Sequence, residues 1–161
     1  CGLLILVSQF ERAKSRSAQK ELFDFYIQQL KLGYINNWDL VDVTGVRMGK
    51  FLLDQKGSLT FLKKLARSEN LWERRASVIF TFSFQDHGDP YPTLEIADIL
   101  LKDEHDLIHK AVGWALREVG KMDAPLLRNY LKANVSNMPR TMLRYSIEKF
   151  SPTERKKWLT A

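Results

Sequence analysis

The stretch LIHKAVGWALREV at residues 107–119 has the spacing of an amphipathic α-helix. Its apolar residues recur three and four positions apart, which places them on one face of a helix. Residues 71–82 have a similar plan, and the pair Arg75-Ala76 within them stands 35 residues before Lys110-Ala111. Residues 140–150 form a third, weaker copy. The sequence therefore indicates repeated helical units.

A period near 35 residues with two helices in each unit predicts an all-α fold, an α-solenoid of HEAT-like or armadillo-like helical repeats. A chain of 161 residues is long enough for one core, so we expect a single helical-repeat domain over residues 1–161. An all-α bundle is the alternative architecture. Alternating apolar and polar residues, the pattern of a strand, are absent from the sequence.

The chain begins with Cys1 and an apolar run at residues 2–7. This run is too short to span a bilayer and has no basic leader before it. We interpret it as the buried half of a helix whose beginning is missing, and we expect one or more N-terminal repeats to be missing with it. The expected protein is cytoplasmic, with no membrane segment and no evident obligate protein partner.

Capping residues predict where several helices begin and end. Residues of the type that cap helix N-termini precede four apolar runs. These residues are Asn36 or Asn37, Asn70, Asp123 and Ser151. Gly33 is predicted to end a helix, and residues 88–92 form the clearest loop. The predicted helices are about ten to sixteen residues long, close to the average in globular proteins.

The positive charge is concentrated near the C-terminus. The chain has 25 Lys and Arg against 19 Asp and Glu, a net charge of +6. Residues 121–161 contain nine basic and three acidic residues, so the whole excess lies there. A polyanion, nucleic acid first, is the partner that this asymmetry favours. A solvated helical face is the alternative explanation.

Metal and cofactor chemistry have little support in the sequence. Cys1 is the only cysteine, which excludes a disulfide framework and a cysteine-based zinc site. His105 and His109 have the spacing of a ligand pair on a helix, but no further ligand group is evident near them. Two histidines near a helix start are the simpler interpretation. We expect no metal and no organic cofactor.

Six residues combine rings, charges and a carboxylate in a pattern that suits nucleic acid. Trp38 and Asp42 are four apart, so they share one face of a helix. Trp114 adds a second ring, and the candidate phosphate contacts are Arg75, Lys110 and Arg117. A carboxylate in such a place can stabilise a cationic sugar or orient a water that attacks it.

Simpler roles for these residues remain open. A helical tryptophan is commonly a core residue. Asp39 fits a first-turn acid that the helix dipole favours. The charged pair Arg74-Arg75 suits a solvated surface, and periodicity leaves open which of the two faces inward.

Three sequence blocks resemble the DNA alkylation repair family, the alkylpurine DNA glycosylases known as AlkD. The blocks are INNWDLVD at residues 35–42, LWERRA at 71–76 and KAVGWALRE at 110–118. The last is the most specific, and the resemblance extends over essentially the whole chain. The first one or two helical repeats of the family pattern have no counterpart here.

The resemblance implies a function and a set of roles. Family members remove cationic N3- and N7-alkylpurines from duplex DNA without flipping the base. The catalytic residues it implies are Asp42, Trp38 and Trp114: Asp42 as the acid that stabilises the sugar and positions water, and the two tryptophans as rings against the damaged nucleotide. Arg75 is implied as a contact near the DNA backbone. The expected partner is double-stranded DNA with alkylated purines.

Two other functions are compatible with the same sequence. A non-catalytic helical-repeat module that recognises bent or branched DNA needs the basic C-terminal quarter but not Asp42. A scaffold for protein partners needs neither. Residues 38, 42, 75 and 114 match the family pattern together, which favours the enzyme.

Overall fold

The computed structural model describes residues 2–160, and within them the chain forms ten α-helices and no strand. The helices are α1 (Gly2–Arg12), α2 (Arg16–Lys31), α3 (Trp38–Met48), α4 (Ser58–Ala66), α5 (Leu71–Asp86), α6 (Tyr91–Leu100), α7 (Asp106–Met122), α8 (Ala124–Asn134), α9 (Arg140–Ser146) and α10 (Pro152–Leu159). Short 3₁₀ helices cover Gly49–Leu52 and Val135–Asn137. The prediction of an all-α fold is confirmed. Cys1 and Ala161, the ends of the expected domain, lie outside the described residues.

Alternate helices pack on one another in chain order. Helix α3 contacts α5, α5 contacts α7, α7 contacts α9, and α4 contacts α6; α4, α6 and α8 also lie against their neighbours in the chain. Two-helix repeats produce this order when each unit contacts only the next. One continuous cluster of buried apolar side chains extends from Leu6 in α1 to Ile147 after α9.

Helix α5 lies in the middle of this row and is covered on all sides. Every residue from Arg75 to Gln85 is buried. The hydroxyl groups of its small polar side chains form hydrogen bonds with backbone carbonyls. Thr81 donates to Val78 O at 2.7 Å, and Ser83 donates to Val46 O of α3 at 2.6 Å. Because these hydroxyls are paired, their burial is inexpensive and α3 is tied to α5.

Helix α9 makes an unusually close approach to α7. A Cβ placed on Gly113 of α7 would lie 2.5 Å from Tyr145 Cβ and 2.6 Å from Met142 O. Contacts this short are not tolerated, so only glycine allows the two backbones to pack this closely. The approach brings Tyr145 beside the middle of α7.

Most predicted helix boundaries are confirmed. Asn37, Asn70, Asp123 and Ser151 are the N-caps of α3, α5, α8 and α10. Gly33 follows α2 with φ +79°, a conformation that suits glycine.

Several other boundaries differ from the prediction. The loop predicted at residues 88–92 ends at Pro90, since Tyr91 and Pro92 begin α6, where proline is tolerated in the first turn. The helices range from 7 to 17 residues, and the copy at 140–150 is helical only to Ser146. The N-terminal apolar run is not wholly buried: Leu4 and Ile5 are exposed while Leu6 and Val7 are buried.

A buried hydrogen-bond chain fixes α2 against α3. The Tyr26 hydroxyl lies 2.9 Å from Thr44 Oγ1, which donates to Leu40 O at 2.6 Å. Because Thr44 already donates, Tyr26 is the donor to it. Tyr26 is completely buried. Burial raises its pKa to about 12, and the negative charge of Asp42 also raises it.

This pKa gives a stability contribution that is lost at high pH. Below pH 10 the phenol is protonated in both states. Between pH 10 and about 12 the unfolded chain releases the proton while the folded one keeps it, which favours unfolding. The free energy of unfolding of the protein, relative to Tyr26→Phe, should fall by about 3 kcal/mol across this range. Urea unfolding at several pH values measures this free energy for both proteins. Curves of the free energy of unfolding against pH that run parallel for the protein and for Tyr26→Phe would contradict the prediction.

Candidate active site

The N-terminus of α3 places a ring and a carboxylate side by side. Asn37 caps the helix by accepting from the backbone N–H of Asp39 at 3.0 Å. Trp38 is the first helical residue and is 52% exposed, whereas Asp42, one turn later, is partly buried. Asp39 lies in the first turn and is exposed, as expected of an acid beside the helix dipole.

Asp42 is held by a two-point ion pair with Arg75 of α5. Arg75 Nε donates to Asp42 Oδ1 at 2.8 Å, and Nη2 donates to Oδ2 at 2.7 Å. The Arg75 side chain is 5% exposed and that of Asp42 is 14% exposed. Arg75 Nη1 also donates to Leu107 O at the start of α7, at 2.5 Å. One guanidinium therefore joins α3, α5 and α7.

Trp114 lies on α7 against an aromatic neighbour. Its ring centroid is 4.6 Å from that of Phe82 on α5, with the planes tilted by 53°. Tilted aromatic pairs of this kind restrict ring orientation. Trp114 is half-buried, so part of the indole remains on the surface.

A cleft of about 470 Å³ brings these groups together. All six residues predicted from the sequence line it, together with two others. The lining residues are Trp38, Asp42, Arg75, Leu107, Lys110, Trp114, Arg117 and Tyr145. Residues up to 107 positions apart in the chain, Trp38 and Tyr145, thus meet on one surface.

Each cation of this cleft is paired with a carboxylate. Lys110 Nζ lies 2.7 Å from Asp106 Oδ2. Arg117 Nη2 lies 3.0 Å from Glu118 Oε1, and Arg117 Nη1 donates to Glu148. The cleft therefore has no unpaired cation among residues 2–160 to repel a positively charged ligand.

Titration of these pairs agrees with their geometry. The hydrogen bond between Lys110 and Asp106 lowers the pKa of Asp106 and raises the pKa of Lys110. Burial lowers the pKa of Arg117, but its bonds to Glu148 and Glu118 outweigh this and raise the pKa overall. The hydrogen bond from Arg117 lowers the pKa of Glu148. All these groups stay ionised near neutral pH.

This pairing changes the interpretation of the three basic residues as phosphate contacts. Arg75 is buried and committed to Asp42, so its surroundings favour a role in orienting the carboxylate. Lys110 and Arg117 reach the cleft as members of ion pairs. The sequence leaves open which of Arg74 and Arg75 faces inward. Arg74 bonds to Asp103 at 2.7 Å, away from the cleft, and Arg75 is the one that faces inward.

Tyr145 and Leu107 are site residues that the sequence did not reveal. Tyr145 has the helical spacing of an apolar core position on α9, but it is 37% exposed and lines the cleft. It lies against Gly113 of α7, whose missing side chain leaves room for it. Leu107 contributes its backbone carbonyl, which any residue type offers. A small residue on α7 opposite an aromatic on α9 is the one available signal.

The histidines have structural contacts. His105 caps α7, with Nδ1 accepting from Leu107 N at 3.1 Å, and His109 Nε2 lies 2.5 Å from Asp103 O. Among residues 2–160, no three side chains of the metal-binding types gather at one place. In the same part of the chain, no helix combines the length and apolarity that crossing a membrane requires.

Comparison with known families agrees with this geometry. The family model for the DNA alkylation repair enzyme matches residues 1–150. This chain belongs to that family. The resemblance in the three sequence blocks is confirmed at this level, and the protein has a role in the repair of alkylated DNA. A search of curated proteins gave no match.

The buried pair predicts an asymmetry between single and double substitutions in this DNA alkylation repair protein. Arg75→Met should lower the free energy of unfolding by about 3 kcal/mol, because it leaves the Asp42 carboxylate without its partner. Asp42→Leu combined with Arg75→Met should recover most of this loss, since no buried charge remains. Urea unfolding of both variants checks this, and a double variant as unstable as Arg75→Met alone contradicts it.

Proposed function

We propose that this protein is a monofunctional DNA glycosylase that hydrolyses the N-glycosidic bond of cationic N3- and N7-alkylated purines in duplex DNA. The observation that carries the proposal is Asp42, a carboxylate held by Arg75 in an open cleft that Trp38 and Trp114 also line. The family match supports repair of alkylated DNA, and this geometry supports the particular reaction.

The substrate makes one carboxylate sufficient. When the bond between C1′ and the purine nitrogen breaks, its electron pair goes to a base that is already cationic, which leaves neutral. The base therefore needs no acid to protonate it, unlike ordinary glycosides, which require a pair of carboxyl groups. The sugar becomes an oxocarbenium-like cation, water adds at C1′, and the proton of that water passes to solvent.

Asp42 has the lone pairs to serve both the sugar and the water. A carboxylate has about four acceptor positions. Arg75 uses one on each oxygen, and the exposed part of Asp42 faces the cleft. Two N–H donors fix the carboxylate in place, so little reorganisation is needed as positive charge develops on the sugar. Because Lys110 and Arg117 are paired with other acids, their positive charges do not cancel the negative field of Asp42.

The two tryptophans suit a nucleotide that stays in the duplex. Trp38 is half exposed, and Trp114 presents the part of its ring that Phe82 leaves free. Their faces can pack on the sugar and attract a cation. An open surface of this kind requires no flipped base, in contrast to glycosylases that enclose the base in a pocket. The proposed partner is duplex DNA, and the proposed location is the cytoplasm, where bacterial-type nucleoid DNA lies.

No metal or organic cofactor is needed for this chemistry, because the leaving group is activated by its own charge. Protein carboxylate and water complete the reaction. The second candidate function, binding of bent or branched DNA without catalysis, is favoured by one observation: both Asp42 oxygens are engaged by Arg75, as in a purely structural ion pair.

Asp42→Asn separates the two functions. It should reduce release of 7-methylguanine from alkylated duplex DNA by at least about 100-fold, the size of effect typical for loss of one electrostatic stabiliser. DNA binding should remain near normal, because the amide keeps the shape. Asp39→Asn is the matched control: the same chemical change, one turn earlier on α3, at an exposed acid outside the cleft.

Each outcome has a defined meaning. Loss of release in Asp42→Asn alone supports the catalytic role. Unchanged release in Asp42→Asn removes Asp42 from the mechanism. Absence of release by the unsubstituted protein, with DNA binding intact, favours the non-catalytic module.

Trp114 should affect capture of the damaged nucleotide as well as its reaction. Trp114→Ala is expected to weaken binding to alkylated duplex several-fold, since a cation–π contact with the positively charged nucleotide contributes roughly 0.5–2 kcal/mol. Trp114→Phe keeps the contact with Phe82 and should lose less. Trp72→Ala on α5, outside the cleft, is the control. Equal losses in Trp114→Ala and Trp72→Ala, measured by fluorescence anisotropy, contradict the role.

A further inference from the structure

The structure divides the basic residues of the C-terminal quarter into two groups. Three of the nine in residues 121–161 have carboxylate partners: Arg128 with Glu154, Lys121 with Glu118, and Lys149 with Glu148. The other six form no ion pair among residues 2–160. They are Lys132, Arg140, Arg144, Arg155, Lys156 and Lys157.

Four of these six unpaired cations line one cleft. This basic cleft, of about 820 Å³, lies between α9, α10 and the start of α7. Its unpaired cations are Arg140, Arg144, Arg155 and Lys156. Its two carboxylates, Asp106 and Glu148, are already bound to Lys110 and Arg117.

Such a cluster is unfavourable by itself. Arg140 and Arg144 are four apart on α9, where like charges repel, and Arg155 and Lys156 face them from α10. Elsewhere in this fold, arginines near one another have acidic partners, as Arg74, Arg75 and Arg117 do. A multivalent anion would relieve the repulsion, and arginine pairs suit phosphate oxygens.

The basic cleft adjoins the candidate active site. Lys110 and Tyr145 line both clefts, so one surface passes into the other. The two clefts differ in charge, because every cation of the candidate active site is paired with a carboxylate, whereas four cations of the basic cleft are not. The candidate active site therefore suits a cationic base and sugar, and the basic cleft suits the polyanion to which they are attached.

We propose that the basic cleft binds the phosphodiester backbone of the DNA strand as it leaves the candidate active site, with Arg144 and Arg155 as direct phosphate contacts. The inference rests on the proposed function for the position of the strand, and on the unpaired cations for its chemistry. Binding here is independent of sequence and of damage, because phosphates are the same in every duplex.

The test is binding of an undamaged DNA duplex to the full chain, measured by anisotropy at several salt concentrations. Each phosphate contact contributes about 0.9 to the logarithmic salt slope. Arg144→Gln with Arg155→Gln should therefore reduce the slope by about two and weaken binding roughly 50-fold at 0.1 M salt. Arg144→Lys with Arg155→Lys should retain most of the slope, since the charges remain.

The matched control removes the same charge elsewhere. Arg12 and Arg67 are exposed, form no ion pair among residues 2–160 and lie outside both clefts. Arg12→Gln with Arg67→Gln should leave the slope nearly unchanged. Equal losses in the two glutamine pairs would show that net charge alone governs binding, and no loss in Arg144→Gln with Arg155→Gln would show that DNA avoids the cleft. Either result overturns the proposal.

The undamaged duplex keeps this test separate from the glycosylase proposal. If base release fails but the salt slope depends on Arg144 and Arg155, the basic cleft stands and the chemistry of Asp42 falls. If base release occurs but the salt slope does not depend on Arg144 and Arg155, the chemistry of Asp42 stands and the basic cleft falls. Preference of the basic cleft for duplex RNA over duplex DNA would also overturn the assignment of its partner.

Discussion

The ion pair between Asp42 and Arg75 is the interaction on which the candidate site depends. It is made at 2.7 and 2.8 Å between two helices, with a further bond from the same guanidinium to a third. Removing two opposite charges from water is costly, and only good geometry and additional hydrogen bonds offset that cost. A fold that retains such a pair, rather than apolar residues of similar size, orients a carboxylate at a defined point. Stability and the direction of Asp42 thus come from the same contacts.

Pairing also separates two kinds of electrostatic surface within one small protein. Cations near Asp42 have their own acids, so the carboxylate meets little competing positive charge. Cations in the adjoining cleft have none among residues 2–160, so they are available for an external anion. On the proposed functions, a uniformly basic surface would attract DNA but destabilise the positive charge that develops on the sugar. The arrangement of acids, more than the net charge of +6, would then distinguish the two proposed tasks.

The sequence predicted what depends on local spacing and on residue type. Helical periodicity and the caps at Asn37 and Asn70 are accessible in this way, whereas the choice of Arg75 over Arg74 rests on the family resemblance. What it missed depends on tertiary contacts. The partner of each charge cannot be read from spacing, so the sequence predicts phosphate contacts at Arg75, Lys110 and Arg117, which acids engage in the fold. Tyr145 has the spacing of a core residue on α9, but in the fold it is 37% exposed beside Gly113 of α7. Tyr91 and Pro92 suggested a loop because proline is compatible with both a turn and a first helical turn.

The contact at Gly113 has a consequence for how a duplex is accommodated. Because Gly113 has no side chain, α7 packs directly on Met142 and Tyr145 of α9, where any larger residue would clash. Trp114 lies on one of these helices and Arg144 on the other. On the proposed functions, the separation between the reacting sugar and its neighbouring phosphates is therefore set by this contact between two helices. The flexible member of the complex is the nucleic acid, and sites where the double helix bends at low energetic cost would be the ones that fit.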